Sequence, residues 1–179
     1  MKQAIAGLSL SSQHEATAIV VWPSVSATET GQMLGRLYEK KEGVGIFSLG
    51  NLLALLSIPI AIPLYLWNFL PVVGTRYRIT NRQVIVERGI QGVAEKQIGL
   101  DQFDRIEIEQ KPGQAWFRSA DMIFWQTKSP ESADGRREEM EVFRLAGVPY
   151  PEVFRAACQK ASMTYRGFQE IRKHQAVGP

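Results

Sequence analysis

At 179 residues and a formal net charge of +3, the chain has the length of one ordinary globular domain plus an additional element, and it is too weakly basic for nucleic-acid binding to be its defining property. Its single cysteine, Cys158, excludes an internal disulfide and a cysteine metal cluster. Mean hydropathy is near neutral at −0.14, yet one long stretch has no charge at all, so the apolarity is concentrated rather than spread.

The first residues, MKQAIAGLSLSSQHEATAIVVW, have the outline of a signal peptide, but Ser11, Ser12, Gln13, His14 and Glu15 interrupt the apolar part. Retention of this segment is therefore expected, and residues 1–43 read as a lead-in with a short strand.

Residues 44–74 read as the membrane element. Ile46 to Val73 carries no charged side chain and exceeds the roughly 20 residues needed to cross about 30 Å of hydrocarbon. Tyr65 and Trp67 lie towards its end, where amphipathic aromatics settle at a lipid–water interface. Pro59, Pro63 and Pro71 each remove a helical hydrogen bond. One kinked transmembrane span is the first expectation and a re-entrant or interfacial hairpin turning near Pro59–Pro63 the second; two full spans do not fit. Arg36, Lys40 and Lys41 precede the run, and Arg76, Arg78, Arg82 and Arg88 follow it, a bias that places the C-terminal side in the cytoplasm. The alternative is a buried core helix in a soluble domain that binds a small ligand or a lipid headgroup.

After Arg76 the period shortens to two. RYRIT alternates as a half-buried strand, and after a turn at Asn81-Arg82 the β-rich QVIVER returns as a second strand. KQIGL, RIEIEQ, AWFRSADMIFWQTK and EEMEVFRLAGV continue the pattern, with turns at Lys111-Pro112-Gly113 and Asp134-Gly135. Pro149-Tyr150-Pro151 ends it. A helix then places Phe154, Ala157, Cys158, Ala161, Tyr165 and Phe168 on one face. Residues 75–165 thus read as a mainly β domain, a curled sheet or split barrel closed by one C-terminal helix, and 166–179 as a polar tail.

The stretches TRYRITNRQVIVERGI, KQIGLDQFDRIEIEQ and FRLAGVPYPEVFRAAC resemble the pleckstrin-homology-like domain of bacterial YdbS-type membrane proteins. The family pattern Y-x-[IL]-T-x-R stands here as Tyr77 to Arg82, and the GV-x-x-P entry to the last helix as Gly147 to Pro151. IVVWPSVSATETGQML is similar to the short W-x-x-x-S lead-in of such proteins. The resemblance covers about residues 17 to 160. It implies a split-barrel fold beside one or two membrane segments, although many relatives carry a full helical hairpin that this run is too short to form.

Little in the chain points to catalysis. His14 and His174 stand near opposite ends without metal-ligand partners, and Cys158 falls on the apolar helix face. Asp101, Asp104, Glu107 and Glu109 form the densest carboxylate group, with the outward alternation of any solvated strand. There is no phosphate-cradling glycine loop and no nucleophile motif. No catalytic residue, metal ligand or cofactor is expected. Arg76, Arg78, Arg82 and Arg88 are the candidate contacts for anionic lipid headgroups, where each juxtamembrane cation contributes about 1 kcal/mol. In eukaryotic pleckstrin-homology domains, basic residues around the first hairpin bind phosphoinositides, but this hairpin lacks their dense lysine and arginine spacing. The expected protein is a non-enzymatic interaction module anchored in the cytoplasmic membrane, its domain facing the cytoplasm. Its partners are the bilayer, anionic headgroups and an unnamed protein, with no nucleic acid.

Overall fold

The computed structural model describes residues 15–40, 49–69, 74–128 and 138–176. His14, Lys41, Pro71 and the turn at Asp134-Gly135 lie outside them. Seven strands form two antiparallel sheets. The first has the order β1 (Thr17–Val21), β2 (Thr75–Thr80), β3 (Gln83–Arg88), β4 (Val93–Gly99). The second has the order β5 (Arg105–Glu109), β6 (Ser119–Lys128), β7 (Glu138–Pro149). The described residues also hold the α-helices α1 (Glu29–Tyr38), α2 (Leu49–Leu56), α3 (Ile58–Phe69) and α4 (Pro151–Ala176), and a 3-10 turn at Val25–Ala27.

The period-two residues make the core. Tyr77 and Ile79 of β2, Val84 and Val86 of β3, and Ile98 of β4 face Ile106, Met122, Phe124, Phe143 and Leu145 of the second sheet. Phe124 stands edge-on to Phe103 at 5.0 Å and to Phe143 at 5.6 Å, the geometry that aromatic quadrupoles favour. The Tyr77 hydroxyl donates to the Ala146 carbonyl at 2.8 Å, tying the sheets together, and burial pushes its pKa up.

α4 closes the core with Phe154, Cys158 and Ala161 fully buried, and Ala157 and Tyr165 packed beside them. Burial pushes the Cys158 thiol up as well, so it stays protonated and unreactive at neutral pH. The helix continues through residues 166–176, the stretch that reads as a polar tail in sequence. Glu152 in its first turn and Lys173 and His174 in its last complement the helix dipole.

Two segments depart from the expected pattern. Ala115 to Arg118 is a series of turns rather than the start of β6: the Phe117 and Arg118 N–H groups donate back to Gln114 and Ala115, and Arg118 has φ 49°. The lead-in holds a helix, α1, which the sequence pattern did not single out. Thr28 caps it, its hydroxyl accepting from the Gly31 N–H at 3.1 Å.

The uncharged run does not form one continuous helix. No helix among the described residues is long and apolar enough to cross a membrane. The run breaks at Ser57, because Pro59 lacks the N–H that would have bonded the Leu55 carbonyl of α2, and it sits instead in the first turn of α3, where that N–H is not needed. Ser57 ends α2 by donating its N–H to Leu53 and starts α3 by accepting from Ile60 and Ala61. At 1.5 Å per residue, the 12 residues of α3 extend roughly 18 Å, well short of a bilayer core. Topology gives a second reason. β1, which precedes the run, pairs with β2, which follows it, in the register Ile19 to Ile79 and Val21 to Tyr77. A single span would put those two strands on opposite sides of the membrane.

A candidate membrane-facing surface

Between β1 and β2 the chain builds a helical platform on the second sheet. Gly35 and Gly113 let α1 approach the 111–118 turns so closely that a Cβ on Gly35 would overlap the Gly113 carbonyl oxygen. Gly113, at φ 90°, also holds a conformation that suits glycine. Tyr38, at the end of α1, packs edge-on against Trp116 at 5.5 Å and Phe117 at 6.1 Å. Its hydroxyl is hydrogen-bonded to that of Ser57. The elbow between α2 and α3 is thereby pinned to the domain, and Gly50 N–H, bonded to the Lys40 carbonyl at 3.0 Å, fixes the start of α2.

The 111–118 turns are held in turn by Asp121, whose carboxylate is buried on the face of β6 away from the core. Lys111 Nζ lies 2.6 Å from Oδ2, while Gln114 Nε2 and the Gly147 N–H donate to Oδ1 at 2.7 and 2.9 Å. Burial alone would raise this carboxyl's pKa. The bonds from Lys111, Gly147 and Gln114 together outweigh it and hold the pKa below the usual carboxylate range. A depressed folded-state pKa stabilises the fold above the unfolded value, near pH 4, and that contribution is lost as pH falls through the folded value. Asp121→Asn should therefore cost about 1–3 kcal/mol at neutral pH through its unsatisfied partners. The difference in melting temperature from wild type should shrink as pH falls below about 4; a difference independent of pH would remove Asp121 from this role.

On that platform α2 and α3 present apolar side chains outwards. Leu56 is 77% exposed, Ile60 57% and Trp67 61%, and Leu52 and Leu55 are exposed as well. The arrangement rules out the buried core helix. On the other side of α3, Ile58, Ile62 and Leu66 form one wall of an open groove of about 680 Å³ whose far wall is Val20 to Val25.

The four arginines do not converge. Arg76 and Arg78 share the outer face of β2, as the alternation implies, but both are bound to Glu87 on β3, at 2.5 and 2.6 Å. Glu87 is buried, so this carboxylate cancels one of the two charges at the site, and Arg78 Nε is buried without a hydrogen-bond partner among the described residues. Arg88 is exposed at one end of β3, beside Gly74, whose carbonyl accepts from the Gly89 N–H at 3.0 Å. Arg82 is exposed at the β2–β3 turn, roughly 20 Å away along the strand. Next to Arg88, the β3–β4 turn exposes Ile90 and Val93. Glu87 and Asp121 carry no local signal in the sequence that marks them as organising acids. Of the four carboxylates that looked densest, Asp101 is exposed in the turn before β5, and Asp104, Glu107 and Glu109 pair one by one with Arg166, Arg105 and Arg144. No group of three potential metal ligands occurs among the described residues, and His174 is exposed in the last turn of α4.

Two antiparallel sheets enclosing one core, closed by a C-terminal helix, define a mainly β fold of the pleckstrin-homology-like class. The chain belongs to the bacterial PH domain family, whose model matches residues 40–162. That span runs from the end of α1 into α4, so it includes the apolar elbow and omits β1. No curated protein and no solved structure matches the chain. PH domains are in general non-enzymatic modules that bind proteins or lipid headgroups.

Proposed function

We propose that this protein is a membrane-associated PH-domain module whose α2–α3 elbow enters one leaflet from the cytoplasmic side, leaving both sheets on the membrane surface. The observation that carries this reading is the bare apolar surface of the elbow. A helix that is apolar all round belongs in a core or in lipid, and α3 is apolar on both its groove side and its outer side, with Ile62 and Trp67 each more than half exposed. The pairing of β1 with β2 supports a run that enters and leaves on one side, with Arg36 and Lys40 before it adding to Arg76 and Arg88 after it in favouring a cytoplasmic body.

At the surface the charges act additively rather than as a pocket. Arg88, Ile90 and Val93 stand where the chain leaves the apolar run and are the contacts nearest the headgroups. Arg76 and Arg78 contribute what Glu87 leaves uncancelled, and Arg82, at the far turn, contributes least. The closer kinship to YdbS-type proteins rests on the motifs at Tyr77–Arg82 and Gly147–Pro151. The interaction surface offered to other proteins is the body above the membrane. Fractionation of the full-length protein tests the reading. It should sediment with membranes and stay there in 1 M salt, where screening shortens the reach of surface charges to about 3 Å. Release by salt alone would leave only electrostatic adsorption and sink the anchoring claim.

A further inference from the structure

The groove between α3 and the lead-in is a candidate ligand site that membrane anchoring by itself does not require. Its volume of about 680 Å³ falls within the roughly 300–1,000 Å³ of small-molecule sites. One wall is the α3 stripe Ile58, Ala61, Ile62 and Leu66, spaced to share a helix face. The other is the extended lead-in, Val20 to Val25. Phe117 and Pro149 also line it. The next residues, Arg118 and Tyr150, are both non-glycine residues at positive φ, 49° and 47°, joined by the Tyr150 N–H to the Arg118 carbonyl at 2.9 Å. Such conformations persist only where the surrounding structure fixes them, so Phe117 and Pro149 are held in place by their neighbours.

We infer that this groove takes one hydrocarbon chain of a bilayer phospholipid. The inference rests on the anchoring reading above, because the groove's inner wall is the helix that enters the leaflet. The same side chains that line it, Ile58, Ile62 and Leu66, are continuous with the exposed apolar surface of the elbow. No lining residue is charged, and Ser24 already accepts from the Ser26 N–H and donates its own N–H to the Gly147 carbonyl. A free fatty acid would find no cation in this lining to offset its carboxylate. A phospholipid keeps its polar group at the membrane surface and offers only methylenes to the groove. Water is a poor occupant of such a lining, because it finds too few polar partners.

The test is photo-crosslinking of the full-length protein in vesicles of phosphatidylglycerol and phosphatidylethanolamine. A fraction of the phosphatidylglycerol carries a diazirine in the middle of one acyl chain, and adducts are mapped by mass spectrometry. Adducts are expected on Val20–Val25 as well as on Leu55 and Leu56, which face away from the domain. Adducts on Leu55 and Leu56 alone would keep the anchoring reading and overturn the lipid groove. Protein left unlabelled in the supernatant would overturn both. Ala61→Trp fills the groove. In that variant the ratio of lead-in adducts to Leu55–Leu56 adducts, taken within the same molecules, should fall to background; an unchanged ratio would mean that the lead-in meets lipid outside the groove. If the variant does not fold, the wild-type map decides.

Discussion

Phe154→Ala is expected to lower the free energy of unfolding by about 3–5 kcal/mol, a large share of the roughly 5–15 kcal/mol that holds a domain together. Phe154 is among the largest fully buried side chains, in the first turns of α4 and in the same core cluster as Leu145 and Val148. Removing its ring opens a cavity between helix and sheets that the well-packed neighbours cannot close. The corresponding fall in melting temperature is on the order of 10 °C for a chain of this size. Thermal unfolding of the full-length protein in detergent measures it. A shift within about 1 °C would mean that α4 does not close the core as described.

The double substitution Leu56→Asp with Ile60→Asp should abolish membrane association while leaving the fold intact. Each aliphatic side chain contributes about 1.5–3 kcal/mol when it leaves water, and each aspartate would add a penalty for entering lipid. Together these exceed about 5 kcal/mol, or more than a thousand-fold in partitioning, taking 1.4 kcal/mol per tenfold. Both positions are exposed in the folded chain, where substitutions usually change stability by less than about 0.5 kcal/mol. The variant should thus remain folded and appear in the soluble fraction. Its persistence in sedimented membranes would show that another part of the protein anchors it.

The β architecture was legible because its signal is local. Alternation in RYRIT and RIEIE predicts β2 and β5, the β-branched run in QVIVER predicts β3, and Asn81-Arg82 does turn the first hairpin. The α4 face from Phe154 to Tyr165 follows directly from its 3.6-residue period. The uncharged run was legible in composition but not in geometry. Its length suggested a span, whereas Pro59 and the Tyr38–Ser57 bond divide it, and the decisive partner, Tyr38, is 19 residues away in sequence. The same limit hid Glu87 and Asp121. Arg76 and Arg78 read as free cations until the β2–β3 register set both against one carboxylate, and Asp121 acquires its role from Lys111, Gln114 and Gly147, brought together only by the fold. α1 escaped notice because half of its buried face is Gly31 and Gly35, which carry no hydrophobic signal, and only Leu34 and Tyr38 mark that face in the sequence.

The central claim is that the apolar elbow dips into the membrane and returns, and its sidedness can be measured directly. Lys40→Cys and Gln91→Cys place exposed thiols on the two flanks of the run, while the native Cys158 is buried and unreactive and supplies no background. A membrane-impermeant maleimide is then applied to intact spheroplasts and to inverted membrane vesicles. Both engineered cysteines should be labelled in inverted vesicles and neither in spheroplasts. Labelling of one position from each side would mean that the run crosses the bilayer, and would contradict the account.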